Sequence, residues 1–451
     1  MVQVKRLISM ATAVAIAIGA TGCQVATKNE DRAAIKQEEQ AAKIAMKING
    51  EEITNGEYTN MYIRVANFYA QLGMDLTQPA EIENLKTAVH DEVLKKELVL
   101  QNAKKEGLDK LTEEEQSEID TEYDKFFDDN LNLFKDQVTQ QNPDVTEDDE
   151  ITKRATEMLD TEMKKAGMTK ENVKQDMVDE KVFDKMYNKV RDAVEISDDE
   201  VKTYYDEKLK EQEAAIKDDA AAFEQFDGQG LSVVAPEGYF YVKHILISKA
   251  ESESAEELTQ VQTELQQNYT ELGKLNAEDK IKNAAEITAL EIKIKEQETK
   301  IADLEKIAYA PALERANEAI QKLKAGADFD ALIEEYGEDP GMQNEPTKTK
   351  GYLMSKDNQQ FVKEFVDGAM SLVSVGDYSQ TPVKSDFGYH IIKKVSLVTP
   401  GVKSLDEVRE ALKEAALEEK KAKEWDDTMT KWIDDAKVEE FEENMVVDLT
   451  Q

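Results

Sequence analysis

Residues 238–247 have the sequence GYFYVKHILI, and residues 387–393 have the sequence FGYHIIK. Both runs are rich in β-branched and aromatic side chains, which is typical of strands buried within a sheet. The chain contains three histidines, and each of these runs carries one of them, His244 and His390. Because a buried histidine needs hydrogen-bond partners for both ring nitrogens, the two runs predict a polar cluster inside a sheet.

Other residues in the same part of the chain can complete this cluster. Asp339 and Ser385 are candidates to share hydrogen bonds with the histidines, and the apolar candidates to surround them are Phe361, Phe365, Met370 and Leu372. Such a site suits a ligand with an apolar ring beside a polar amide. The simpler alternative is that the histidines are satisfied core residues without a ligand. The residues alone leave both interpretations open.

Composition favours a mostly helical protein of about two or three domains. The 451 residues include only 19 glycines and 8 prolines, and 34% are charged. Acidic residues outnumber basic ones by 96 to 57, which argues against nucleic acid or an anionic membrane surface as a general partner. One cysteine excludes an intrachain disulfide and a cysteine-cluster metal site. We expect no metal and no cofactor.

The N-terminus predicts secretion and a lipid anchor. Lys5 and Arg6 precede an apolar stretch, 7–20, that is too short to span a membrane, so residues 1–22 are typical of a signal peptide. Residues 20–23, at the end of this segment, have the sequence ATGC, which resembles a bacterial lipobox. This resemblance implies lipidation of Cys23 and a place on the extracytoplasmic face of the cell membrane. An ordinary secretory signal with a chance cysteine is the alternative.

The pattern along the chain predicts a helical domain in two pieces. After a polar tether (23–45), two short strands meet at a turn at Asn49-Gly50 and lead into a helix capped by Thr54. Further helices are predicted over 80–106, 112–140, 147–166 and 169–192. An amphipathic helix from Ser404 to about Ala436 has no core of its own. We therefore predict that 46–238 and 401–440 form one domain around a second domain, 239–400.

Residues 251–310 contain two heptad-like runs of apolar residues separated by a polar stretch. They predict an antiparallel helical hairpin, a coiled coil within one chain, and an intermolecular coiled coil in a homodimer is the alternative. Pro311 is expected to end the second helix because it lacks an amide donor. Farther on, 382–395 predicts a single closing strand.

Four motifs follow the order found in parvulin-type peptidyl-prolyl isomerase domains. They are VKHILI (242–247), AGADFDAL (325–332), GDYSQTPV (376–383) and FGYHIIK (387–393). The start of the helical region, NGEEIT (49–54), and the detached C-terminal helix resemble PrsA-type and SurA-type foldases. The resemblance implies an α+β fold: a mostly helical split chaperone domain, and a small parvulin domain with an antiparallel sheet, surrounding helices and the hairpin as an insertion.

The resemblance also implies a site and an activity. Its catalytic residues would be His244, Asp339, Ser385 and His390, and its substrate-binding residues Phe361, Phe365 and Met370. The activity would be cis–trans isomerisation of X-Pro bonds in unfolded or newly secreted proteins. The chain departs from the family where the usual GGDLG run becomes KGYL (350–353), and where Phe361 replaces a common methionine and would narrow the pocket. A holdase with a structural isomerase domain and a coiled-coil assembly protein remain alternatives.

Overall fold

The computed structural model describes residues 39–165, 168–250, 252–277 and 281–445. The helices of these ranges are α1 (Asn55–Gln71), α2 (Pro79–Lys105), α3 (Glu113–Gln141), α4 (Asp148–Lys165), α5 (Lys170–Asp192), α6 (Asp198–Asp218), α7 (Ala222–Gly228), α8 (Glu253–Ala277), α9 (Ala284–Lys324), α10 (Phe329–Tyr336), α11 (Thr347–Lys350), α12 (Lys363–Met370) and α13 (Leu405–Asp435). The strands are β1 (Ile44–Ile48), β2 (Glu51–Thr54), β3 (Val234–Ala235), β4 (Phe240–Ser248), β5 (Tyr352–Met354), β6 (Val383–Ser385), β7 (Gly388–Leu397), β8 (Gly401–Val402) and β9 (Val438–Glu440). The predicted α+β class, mostly helical with small antiparallel sheets, is confirmed.

The chain divides into two compact units. One combines residues up to Ile196 with those from Ala415 onward, and the other is Ser197–Glu414. The first unit is therefore split between two separate parts of the chain. Residues 197–238 and 401–414, which the sequence analysis placed in the helical domain, group with the second unit instead. One reason is that Phe223 of α7 is fully buried and packs edge-on against Tyr239, beside β4.

The first unit joins both chain ends in one small sheet. Its strand order is β2-β1-β9, and Ile48 of the central strand lies opposite Glu51 on one side and Val438 on the other. The turn at Asn49 has a positive φ of 54°, as the Asn-Gly pair predicts. The predicted capping box of Thr54 at the start of α1 is also present. The C-terminal strand thus completes a sheet that the N-terminal segment begins.

Helix α13 packs against the helices of the first unit through aromatic side chains. Trp425 is 3% exposed, and its ring lies edge-on to those of Phe183 and Tyr187, with centroids 5.6 and 4.9 Å away. Trp432 packs edge-on against Trp425 at 6.0 Å. These contacts supply the core that the amphipathic pattern of the terminal helix requires.

A four-stranded antiparallel sheet forms the centre of the second unit, with the order β5-β4-β7-β6. His244 of β4 lies opposite Ile392 of β7, and His390 lies opposite Leu246. Paired residues of an antiparallel ladder share a face, and residues two apart along a strand do as well, so both histidines lie on the same face.

The single closing strand predicted over 382–395 is wrong, because that segment forms a hairpin of β6 and β7. Ser385 pairs with Gly388 across its two-residue turn. Gly388 has a φ of 149°, and a Cβ at this position would lie 2.1 Å from the carbonyl oxygen of Ile247. The turn therefore needs a glycine where β7 begins to pair with β4.

Helices α8 and α9 form the predicted antiparallel hairpin. Glu257 pairs with Lys300 at 2.5 Å, and Asn268 bonds to Gln297 at 2.6 Å. Residues farther along α8 therefore contact residues nearer the start of α9, as in an antiparallel pair. The prediction that Pro311 ends the second helix is wrong, because α9 continues through it to Lys324. Pro311 removes the donor to the carbonyl of Ile307, but both residues are exposed, and water can bond to that carbonyl instead.

Candidate active site

The two histidines of the sheet lie against each other. His244 and His390 are each 4% exposed, their rings stack at a tilt of 27°, and their Nδ1 atoms are 3.2 Å apart. Because β4 and β7 are the two central strands, both rings are held by the most extensively paired part of the sheet. The strands therefore bring together the two side chains that the sequence pattern singled out.

Asp339 and Ser385 complete the cluster, one beyond each histidine. Asp339 Oδ2 lies 2.8 Å from His244 Nε2, and Asp339 Oδ1 accepts a bond from the backbone amide of Gly341 at 3.1 Å. Ser385 Oγ lies 2.7 Å from His390 Nε2 and accepts a bond from the amide of Phe387 at 3.2 Å. The structure thus places all four residues of the predicted catalytic set in one hydrogen-bonded network.

Tyr352 is a fifth member of the network, and sequence reasoning missed it. Its hydroxyl donates to Asp339 Oδ2 at 2.8 Å from β5, which pairs with β4. Gly341 makes room for it, since a Cβ at that position would lie 1.7 Å from the tyrosine oxygen. The available signal was the KGYL run itself, in which a tyrosine takes the place of the family's acidic residue.

The chemistry of the partners fixes the hydrogen bond between Asp339 and His244, and the tautomers of the two rings set the others. An ionised Asp339 can only accept, so Nε2 of His244 carries a proton, and with one proton on each ring Nδ1 of His244 is an acceptor. His390 must donate to it from Nδ1, which leaves His390 Nε2 to accept the hydroxyl proton of Ser385. In this arrangement, each donor of the hydrogen-bonded network points towards Asp339.

The electrostatics of the cluster define the charges of Asp339 and His390. Burial raises the pKa of Asp339, but hydrogen bonds from His244 and Tyr352 outweigh burial and hold this pKa at about 2. Burial lowers the pKa of His390 to about 3, and the neighbouring His244 ring adds to the effect. Burial, followed by the Asp339 carboxylate, raises the pKa of Tyr352. At neutral pH the site thus combines an ionised carboxylate with a neutral His390.

An aromatic wall borders the histidines. Phe365 of α12 is 1% exposed, and its ring lies edge-on to His244 at 5.0 Å and to His390 at 5.2 Å. Phe361 stacks on Phe365 at 5.1 Å and meets Tyr352 at 5.0 Å. The predicted apolar wall is therefore present beside the polar network.

Met370 does not belong to this wall, although the sequence analysis placed it among the substrate-binding residues. It is the last residue of α12 and is 41% exposed. Val366 and Ala369 carry the buried face of that short helix, so the next position along the chain turns towards solvent. The buried methionine packed into the apolar cluster with Phe365 is Met354 of β5.

The arrangement offers fixed polarity beside an apolar surface. Within the described residues, no group of three or more histidine, cysteine, aspartate or glutamate side chains has the geometry to hold a metal ion. What the site presents is an ordered set of dipoles, a buried carboxylate and stacked rings. Such a site can bind an apolar ring and stabilise one orientation of an adjoining amide.

Two family models match parts of this chain. Residues 292–396 match the model of the PPIC-type PPIASE domain, and residues 9–142 match that of the SurA-like N-terminal domain. The chain therefore contains a parvulin-type peptidyl-prolyl isomerase domain and a SurA-like N-terminal domain. The first match begins inside α9, after the strand that carries His244, because the hairpin separates that strand from the rest of the domain.

Its relatives include proteins named as PrsA foldases, which confirms the resemblance stated from the motifs. Foldase protein PrsA 4 of Bacillus cereus is 33% identical over 180 residues, covering 38% of this chain and 62% of the relative. A putative peptidyl-prolyl cis-trans isomerase, Cbf2 of Campylobacter jejuni, is 32% identical over 147 residues, covering 30% of this chain and 52% of the relative. The matched region thus spans less than two thirds of either protein.

A solved structure of PrsA from Bacillus subtilis aligns with 88% of this chain and 93% of its own. The identity is 17% and the TM-score is 0.27. A score this low does not establish a shared overall arrangement.

Proposed function

We propose that this protein is an extracytoplasmic foldase that catalyses cis–trans isomerisation of X-Pro bonds and assists the folding of secreted proteins. The observation that carries the proposal is the network of His244, His390, Asp339 and Ser385, packed against the ring of Phe365. The matches to isomerase and foldase families support it.

The geometry suits the physical demands of this reaction. Rotation about a peptide bond crosses a barrier of roughly 18–20 kcal/mol because amide resonance is lost. No covalent bond changes, so the protein needs only to bind the twisted amide more tightly than the planar one. Phe365 and Phe361 would hold the pyrrolidine ring. The dipoles ending on Asp339 would face the rotating carbonyl and need no reorganisation as it turns.

A holdase with a weak isomerase site is the second candidate, and Phe361 is the observation that favours it. Its ring stacks on Phe365 at 5.1 Å and so covers part of the surface that would receive proline. In this alternative the helical first unit would bind unfolded clients, and the parvulin domain would be mainly structural.

Membrane attachment is the part of the proposal that rests on sequence alone. Cys23 lies outside the described residues, and within those residues no helix combines the length and hydropathy needed to cross a membrane. We propose that a lipid on Cys23 anchors the protein. A Cys23→Ala variant should be released into the medium or keep its signal peptide. Fully processed variant protein that still fractionates with membranes would contradict the anchor.

A proline-limited refolding assay with the full chain tests the enzymatic proposal. The wild type should accelerate the slow phase of refolding, and Phe365→Ala should lose most of that acceleration because the wall beside both histidines is gone. Phe127→Ala, in the first unit, is the matched control and should retain it. A wild type that leaves the slow phase unchanged but suppresses client aggregation would overturn isomerisation and favour the holdase.

A further inference from the structure

Tyr309 of α9 connects the inserted hairpin to the turn between β6 and β7. It is 4% exposed, and its hydroxyl donates to the backbone carbonyl of Asp386 at 3.3 Å. Its ring lies edge-on to Tyr389 at 6.0 Å, and the ammonium of Lys384 lies 4.4 Å from the ring centroid. One buried side chain therefore contacts three residues of a single β-hairpin.

These three contacts flank two members of the polar network. Lys384 and Asp386 stand on either side of Ser385, and Tyr389 immediately precedes His390. The bond between Ser385 Oγ and His390 Nε2 is 2.7 Å long and is made within this hairpin. Its geometry therefore depends on the shape of the segment that Tyr309 holds.

Two more contacts fasten the same turn, one to α9 and one to the residue that follows β4. Glu305, one turn before Tyr309 on α9, pairs with Lys384 at 2.5 Å. The amide of Lys249, at the end of β4, donates to the carbonyl of Phe387 at 3.0 Å. The ion pair is partly exposed, and solvent weakens it, so the buried tyrosine is the stronger element of this attachment.

The other end of the network is attached to the same helix. Arg315 of α9 pairs with Glu338 at 2.6 Å, and Glu338 also accepts the amide of Ser248 at 2.8 Å. Glu338 immediately precedes Asp339. Helix α9 thus holds the residues next to both ends of the chain of hydrogen bonds.

We propose that Tyr309 is a positioning residue for the isomerase site, which fixes the Ser385–His390 bond from the base of the inserted helical hairpin. The proposal rests on the proposed function only for its effect on catalysis. The tyrosine's hydrogen bond to Asp386 and its ring contacts with Tyr389 and Lys384 join it to residues next to the network in sequence. Burial raises the pKa of Tyr309 to about 12, so its hydroxyl stays protonated and remains a donor to Asp386 throughout the physiological range.

The test uses the full chain and compares two tyrosines of the helical hairpin. Tyr309→Leu removes the ring and hydroxyl at the turn, whereas Tyr269→Leu removes a hydroxyl bonded to Glu298 on the distal part of the hairpin. Tyr309→Leu should lower kcat/KM by on the order of tenfold, less than the roughly hundredfold that a 1 Å misplacement can cost. Tyr309→Phe keeps the ring and should retain most of the wild-type kcat/KM. Tyr269→Leu should have the same kcat/KM as the wild type.

A second readout is independent of activity. With only three histidines in the chain, ¹⁵N-histidine labelling gives a spectrum in which His390 can be assigned by substitution. Tyr309→Leu should shift the ring-nitrogen signals of His390, and Tyr269→Leu should not. If the wild type shows no isomerase activity, the proposed function fails, and these signals still decide whether Tyr309 positions the histidine.

Lys384→Ala provides a variant with less effect on the core, in case Tyr309→Leu does not fold. It removes the ammonium above the Tyr309 ring and the pair with Glu305, and should shift the same His390 signals by a smaller amount. Unchanged His390 signals in every folded variant at Tyr309 and Lys384 would overturn the proposal.

Discussion

The Nδ1 atoms of His244 and His390 lie 3.2 Å apart, close enough for one hydrogen bond with a single proton between them. With one proton on each ring, that proton belongs to His390, because His244 uses its own proton to bond Asp339 from Nε2. Adding a proton to Nε2 of His390 would remove the acceptor for the Ser385 hydroxyl. The site therefore places a neutral His390 beside an ionised carboxylate, and its geometry is coupled to pH.

Replacing Asp339 should separate turnover from folding. Asp339→Asn keeps one oxygen acceptor, whereas Asp339→Ala leaves the donors on His244 and Tyr352 without a partner, at about 1–3 kcal/mol for each buried group. We expect kcat to fall in both variants and the melting temperature to fall mainly in the alanine variant. Steady-state kinetics beside thermal melts measure this. Full turnover in Asp339→Ala would remove the carboxylate from the mechanism.

Acid should destabilise the second unit before it protonates most carboxylates. The unfolded chain binds a proton at His390 near pH 6.5, but the folded chain does so only near pH 3. The unfolded state therefore binds more protons in this window, and the free energy of unfolding must fall as the pH drops from about 6.5 to 3. Asp339, with a pKa near 2 against 3.8, adds a further loss below about pH 4.

Hydrogen exchange of the β4 and β7 amides at pH 7, 5 and 4 measures this loss. His390→Asn should flatten the decline between pH 6.5 and 4, and His90→Asn, in the first unit, should leave it as in the wild type. An equally steep decline in His390→Asn would show that another group controls the acid sensitivity.

Gly341→Ala should act through Tyr352. The added Cβ would lie 1.7 Å from the tyrosine oxygen, so the hydroxyl must move and its bond to Asp339 is lost. We expect a destabilisation of about 1–3 kcal/mol in denaturant unfolding, the range for overpacked sites. Tyr352→Phe removes the clashing oxygen, so the double variant should regain part of that loss. Strictly additive effects would mean that the two residues do not interact.

Trp425→Ala should destabilise the first unit and leave the isomerase site intact. The side chain is 3% exposed among Phe183, Tyr187 and Trp432, and truncation of such a residue typically costs about 3–5 kcal/mol. Thermal unfolding followed by circular dichroism should show an earlier transition, while the ring signals of His244 and His390 stay unchanged. An unchanged transition would contradict the role of the terminal helix in this core.

The sequence predicts the polar core of the site better than its borders. His244 and His390 stand out because strands dense in β-branched residues rarely contain a polar ring, and motif order adds Asp339 and Ser385. Tyr352 is missed because its bond to Asp339 depends on the approach of β5 to a loop. Met370 is misplaced because one step along a short helix moves a side chain from the buried to the exposed face.

Pro311 shows the same limit in the fold. A local rule predicts that proline ends the helix, but α9 continues because the carbonyl that loses its donor lies at an exposed position. Exposure depends on tertiary structure, and a local pattern does not contain it. The hairpin of β6 and β7 is likewise predicted as one strand. Its turn is only two residues long, and the local pattern does not separate the two strands.

Exchange spectroscopy on a short Ala-Pro peptide tests the central claim most directly, because it observes cis–trans interconversion without any folding client. Uncatalysed exchange takes tens of seconds or longer. With catalytic amounts of the full chain, cis and trans signals should exchange within the mixing time, and the exchange rate should fall in Phe365→Ala and Asp339→Asn. Peptide signals that exchange no faster with the wild-type protein than without it would contradict the account.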